Sequence, residues 1–196
     1  MTDGFKMVTA QFIAVGGTGT DLQSIKGEGD DLYDFSIQTL DSAGRTDKAF
    51  VWNDWDFEDG AWADDDGNRE YTIAAGQGLW IQAKNGYSIM SCGEVNLKDV
   101  VINMVDGFVA VGNPFPVAIN LQDLVGTGDD LYDFSIQTLD SAGRTDKAFV
   151  WNDWDVEGGA WADDDGNSEF TIAPGAGLWV QGKAGYTLRI PAPEVK

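Results

Sequence analysis

The sequence predicts an all-β chain: two tandem, homologous β-sandwich (or open-barrel) domains of about seven short strands each. Three observations predict it. Residues Gly29–Asp56 recur without change as Gly128–Asp155, ninety-nine positions later. The repeat carries on through Gly60–Asn68 and Gly159–Asn167, and through Gly78–Trp80 and Gly177–Trp179. A period near one hundred residues is too long for a solenoid turn and suits a small globular domain. The second observation is alternation: Phe35, Ile37 and Thr39 against Ser36 and Gln38, the period of a half-buried strand. The third is turn chemistry, with Gly/Asp clusters every 8–12 residues or so, as sandwiches and barrels require.

The elements follow in order. Asp41–Asp47 supplies turn residues after the strand ending at Leu40, and Lys48–Asn53 resumes the strand pattern. Trp62-Ala63 and Glu70–Ile73 flank Asp64–Asn68, where Asp66-Gly67 predicts a hairpin. Leu79–Ala83 and Tyr87–Met90 flank Lys84-Asn85-Gly86, and Asn-Gly is the preferred type I′ turn. Ala184-Gly185 takes that place in the second copy. Helical periodicity is confined to single turns at Leu22–Ile25 and Leu121–Leu124, which Asp21 and Asn120 can cap.

The copies stop matching near Gly93–Asp99, which divides the chain into 1–95 and 96–196. Aligning Phe12–Gly16 with Phe108–Gly112 leaves Lys6–Gln11 as an extra strand-like piece ahead of copy one. The linking strand between the copies has no equivalent after copy two.

Composition bounds the function. Against 33 Asp and Glu stand 12 Lys and Arg, a formal charge of −21 that repels nucleic acid and anionic membrane. The sequence contains no histidine, the commonest general base and transition-metal ligand. Cys92 is the single cysteine and aligns with Pro191, so it is read as a small buried or semi-buried residue. No run approaches the roughly 18 apolar residues of a membrane span. The N-terminus lacks a charged-then-apolar leader, so the chain is either not exported or a mature product. The acidic, Trp-, Gly- and Asp-rich β composition leans toward an extracellular bacterial protein.

Phe108-Val-Ala-Val-Gly-Asn-Pro-Phe-Pro116, followed by Ile119–Leu124, and the later Ala173-Pro-Gly-Ala-Gly-Leu-Trp-Val180 resemble elements of bacterial secreted and cell-surface β-repeat proteins. Copy one departs from that pattern, with Gly16-Gly-Thr-Gly19 for Gly-Asn-Pro-Phe-Pro and Ala75 for Pro174. The resemblance implies an envelope, adhesion or secreted role and carries over no catalytic residues.

Two constellations are candidate sites. Asp64, Asp66, Asn68 and Glu70 place oxygens at alternate positions around Gly67, and Asp163, Asp165, Asn167 and Glu169 repeat the set. Such spacing suits calcium, although no Glu sits at the twelfth position that an EF-hand needs. The competing reading is a solvated Asp-Gly turn. Asp30, Asp31 and Asp34 form a further acidic group, and a glycosidase reading of such carboxylates is disfavoured because they sit in turns. The second constellation is aromatic. Trp52-Asn53-Asp54-Trp55 and Trp151-Asn152-Asp153-Trp154 combine stacking surfaces with hydroxyl-binding groups, as glycan sites do, while core burial is the competing role.

The function expected is therefore non-enzymatic. It is an extracellular structural protein assembling head to tail into a filament or surface layer. Lys6, Met7, Val8, Thr9, Ala10 and Gln11 are the expected subunit contact. A tandem carbohydrate-binding or adhesin module is the alternative.

Overall fold

The computed structural model describes residues 4–29, 32–53, 57, 58, 60–129, 131–140, 143–152 and 159–194, with the Tyr33 side chain left out. It is all-β; among the described residues the only helices are single 3-10 turns. In the first half the strands are β1 (Gly4–Thr9), β2 (Phe12–Ile13), β3 (Gly19–Asp21), β4 (Lys26–Glu28), β5 (Ser36–Leu40), β6 (Thr46–Asn53), β7 (Ala61–Ala63), β8 (Thr72–Ala74), β9 (Gly78–Ala83), β10 (Ser88–Met90) and β11 (Glu94–Val95). The second half contains β12 (Val100–Asn103), β13 (Gly107–Gly112), β14 (Ile119–Asn120), β15 (Val125–Thr127), β16 (Ser135–Leu139), β17 (Thr145–Asn152), β18 (Ala160–Ala162), β19 (Thr171–Ile172), β20 (Gly177–Gly182) and β21 (Thr187–Ile190).

Each half is organised around a five-stranded antiparallel sheet, β1-β9-β5-β6-β7 in the first and β13-β20-β16-β17-β18 in the second. Smaller sheets, β10-β4 and β3-β8, with counterparts β12-β21-β15 and β14-β19, close the other side. Between them lies a separate apolar cluster for each half. Trp62 and Trp161 are fully buried at its centre, and each indole N–H donates to a buried carbonyl, Ile25 O at 2.7 Å and Leu124 O at 2.8 Å. Truncating either would cost about 3–5 kcal/mol.

The alternation predicted for Phe35–Leu40 holds, and β5–β6 is the expected hairpin, with a register shift at Thr39/Leu40. Asp21 and Asn120 cap the 3-10 turns Leu22–Ser24 and Leu121–Asp123 by accepting from Gln23 N and Gln122 N. Two expected hairpins are corrected. β9 pairs with β1 and β5, whereas β10, beyond Asn85-Gly86, pairs with β4. Likewise β7 pairs with β6, and β8, beyond Asp64–Asn68, pairs with β3. Both tight turns carry the chain from one layer to the other, so good turn residues here close a sandwich edge and not a ladder. Cys92 is also corrected: it is exposed.

The alignment of the copies changes as well. β1 pairs with β9 in the register Gly4↔Ala83 to Thr9↔Gly78, and β13 pairs with β20 from Gly107↔Gly182 to Gly112↔Gly177. Gly4–Thr9 is therefore the counterpart of Gly107–Gly112, an offset of 103, while β3 and β14 keep the offset of 99. Met1-Thr-Asp-Gly-Phe5 against Met104-Val-Asp-Gly-Phe108 carries the same offset in the sequence. Phe12–Gly16 matched Phe108–Gly112 only by composition. Copy one instead has four more residues after β1, in the stretch that forms β2 against β11.

The halves meet symmetrically. Thr9 N donates to Gly175 O and Gly112 N to Gly76 O, both at 3.0 Å. Val8 bridges Ala176, and Val111 bridges Gln77. Trp80 and Trp179, which point away from the two cores, meet with ring centroids 6.5 Å apart. The turn of each β-hairpin reaches across, with Gly44 against Trp179 and Gly143 against Trp80. Each of these contacts of one half is answered by its equivalent in the other, as in an isologous pair.

Candidate functional site

The acidic turns are built by their own first residue. Asp64 Oδ1 accepts from the N–H groups of Asp66 (3.1 Å) and Asn68 (2.7 Å), and the Asn68 amide donates to both carboxylate oxygens. Asp163 repeats this with Asp165 and Asn167. Gly67 and Gly166 adopt φ of +79° and +78°, which a side chain would strain. The side-chain amide of Asn68 first, then its backbone N–H, holds the Asp64 carboxyl below its ordinary 3.8, and Asn167 does the same for Asp163. The carboxylate that a calcium ion would need is thus directed at its own backbone. Asp66, Glu70, Asp165 and Glu169 do not converge on it: among the described residues no three acidic, Cys or His groups form a cluster able to hold a metal. Asp30 and Asp31 lie outside the described residues.

Two further carboxyls are held low by the same kind of contact. Arg45 N–H, then the Arg45 guanidinium, lowers Asp41, and Ala192 N–H, then Arg189, lowers Asp99.

Of the tryptophans singled out for glycan contact, Trp55 and Trp154 lie outside the described residues. Trp52 is buried, edge-on to Trp62 at 5.2 Å, with Lys26 over its ring. Trp151 is only half-buried. Edge-on to Trp161, it lines an open depression of about 610 Å³ with Tyr132, Asn152, Asp163 and Asp164. Tyr132 is 71% exposed. Sequence reasoning had not included Tyr132; its signal was a tyrosine inside an acidic, turn-rich segment.

Lys6–Gln11 is engaged within the chain. β1 pairs fully with β9 on one edge, while Val8 and Thr9 reach the second half on the other and the Gln11 amide donates to Phe115 O. Sequence reasoning missed a different surface. Leu97 (64% exposed), Val101 (57%) and Met90 (51%) stand out with Val95 and Val105 along the connection between the halves. Val15, the most exposed of the large apolar residues, sits just beyond β2, the partner of β11.

The resembling motif has a structural job. Asn113 is fully buried: its amide donates to Val117 O, Ile172 O and Ala173 O, and its Oδ1 accepts from Phe115 N. It ties Gly-Asn-Pro-Phe-Pro to the Ala173-Pro-Gly turn, so the two separated elements form one unit. Comparison of the chain with protein-family models, curated proteins and solved structures finds no match. Among the described residues no helix is long and apolar enough to cross a membrane.

The capping carboxylates predict a pH dependence. A native pKa below the unfolded value stabilises the fold above about pH 4, and that contribution is lost as pH falls through the native value. The double variant Asp64→Ala, Asp163→Ala should unfold at a lower temperature than wild type at pH 7. The gap should narrow as pH falls below about 4 and close once the native carboxylates protonate, where wild type loses its ionised caps too. Thermal unfolding followed by circular dichroism checks this; an equal gap at pH 7 and in acid would rule out capping by the ionised carboxylate.

Proposed function

We propose that the chain is a non-enzymatic, extracellular structural protein of bacterial type. In this reading residues 1–95 and 96–196 are two tandem β-sandwich domains held as an internal pair, and copies of the pair associate with one another. One observation carries it: the exposed apolar side chains Met90, Val95, Leu97, Val101 and Val105 within one stretch of the chain, with Val15 just beyond β2. Exposed large apolar side chains gathered in number mark contact sites. This surface replaces Lys6–Gln11 as the proposed joint, because that strand already has partners inside the chain. Head-to-tail propagation into a filament or layer stays part of the proposal, since at the offset of 99 Met90 and Val95 correspond to Arg189 and Glu194, so this surface is not repeated there.

The net charge of −21 opposes contact between copies. Association should therefore strengthen with salt, as screening shortens the reach of repulsion from about 30 Å at 0.01 M to about 8 Å at 0.15 M. Light scattering across that range should show species larger than 21.2 kDa growing with salt, and Leu97→Asp with Val101→Asp should abolish them. A monodisperse 21.2 kDa species throughout refutes self-association. Growth with millimolar calcium alone, at fixed ionic strength, would instead revive the acidic turns as a cation site.

A second reading, glycan binding, is favoured by the depression at Tyr132, where stacking rings adjoin an amide and two carboxylates. Retention on a glycan array, lost in Tyr132→Ala with unchanged unfolding temperature, is expected under it. The absence of any retained glycan sinks it.

A further inference from the structure

The pseudo-symmetry of the halves is broken at β12. In the second half β21 is flanked on both edges, by β15 and by β12, which pairs from Val100↔Ile190 to Asn103↔Thr187. In the first half β10 pairs with β4 in the equivalent register, Ser88↔Glu28 to Met90↔Lys26. Among the described residues its other edge carries no strand. The residues beneath β12 are nonetheless duplicated in the first half.

Where β12 and the residue after it seat Val100 and Met104 against Leu124, Leu178, Val180 and Leu188, the first half has a groove of about 410 Å³. Ile25, Leu79, Ile81, Ile89 and Met90 line it. Its far wall is the turn Pro174-Gly175 of the second half, just as Val100 and Ile102 lie against Gly76 of the first. Met90, half-exposed on its rim, stands where Arg189 in the second half holds Asp99 at 2.9 Å. Met1–Asp3 lie outside the described residues.

We propose that this groove and the free edge of β10 are an acceptor site for an extended strand from a partner chain, added antiparallel to Ser88–Met90. The partner strand carries apolar residues at alternate positions, in the Val-x-Ile-x-Met pattern of Val100–Met104. Strand addition to an open edge takes its affinity from main-chain hydrogen bonds and its specificity from pockets for alternate side chains. Both parts are present: among the described residues an unpaired edge, and a groove in which Ile89 and Met90 offer apolar surface beside Lys6, Thr9, Gln11 and Ser91, at the place of the occupied site in the other half. The site shares Met90 with the exposed residues proposed for self-association, but peptide binding is read separately from the mass of the chain, so it stands if that proposal fails.

The probe is a labelled synthetic peptide of this chain's own residues 98–106, added to the full chain. Fluorescence anisotropy should show saturable one-to-one binding, and hydrogen exchange should slow at Ser88–Met90. A peptide with Ser in place of Val100, Ile102 and Met104 should not bind. Met90→Glu, at a half-exposed rim position that does not threaten folding, should weaken binding about tenfold or more. No saturation by about 1 mM peptide, equal binding of the Ser-substituted peptide, or protection at Thr187–Ile190 in place of Ser88–Met90 would each overturn the proposal.

Discussion

The structure depends on how closely two turns approach two strands. Gly76-Gln-Gly78 lies on β13, and Gly175-Ala-Gly177 lies on β1. A Cβ at Gly78 would stand 2.7 Å from the Ala110 carbonyl carbon, and one at Gly177 would stand 2.7 Å from the Met7 carbonyl carbon. Only glycine lets the backbones come this near. That approach permits the paired hydrogen bonds at Thr9 and Gly112, and it brings Trp80 and Trp179 together on the axis. On the outward faces of β9 and β20 the two tryptophans thus become half-buried. What a homodimer does with two chains, this chain does with two copies of one sequence.

This gives a physical reason for the long identical block. Its hairpin contributes core residues such as Phe50 and Phe149, and its turn contacts the opposite half at Gly44 and Gly143. Under isologous packing one surface must satisfy itself, so a change in one copy must be tolerated by the other. The unsymmetric parts are where the copies diverge: the four added residues near β2, the buried Asn113 amide on one side only, and β12.

Much of this was legible in the sequence, and the failures are instructive. The alternation of Phe35–Leu40, the capped turns after Asp21 and Asn120, and the core role of Trp62 follow from local chemistry, and local chemistry decided them. Asn85-Gly86 was read correctly as a tight turn, but a turn signal does not say whether the next strand stays in the same sheet. Here Tyr87 is drawn into the core beside Phe35, and that contact takes β10 to the other layer. Phe12–Gly16 misled because a short apolar run matches many others. Register was carried instead by Met-x-Asp-Gly-Phe, too short to outweigh it without the pairing of β1. In the acidic turns the residue types were legible, but the direction of the Asp64 carboxylate was not: Asn68 competes for the oxygens a cation would use. The exposed apolar surface and the groove could not be read at all, since both arise from the absence of a neighbour.

The central claim is that each copy carries a self-complementary face, and the most direct measurement is the mass of one copy by itself. Residues 96–196, which retain β12 and a complete core, should sediment as a dimer when expressed alone. Trp179→Ala should shift that species to monomer while leaving its unfolding cooperative. A folded half that stays monomeric at high concentration would contradict the claim, and the contact between the halves would then be a consequence of tethering alone.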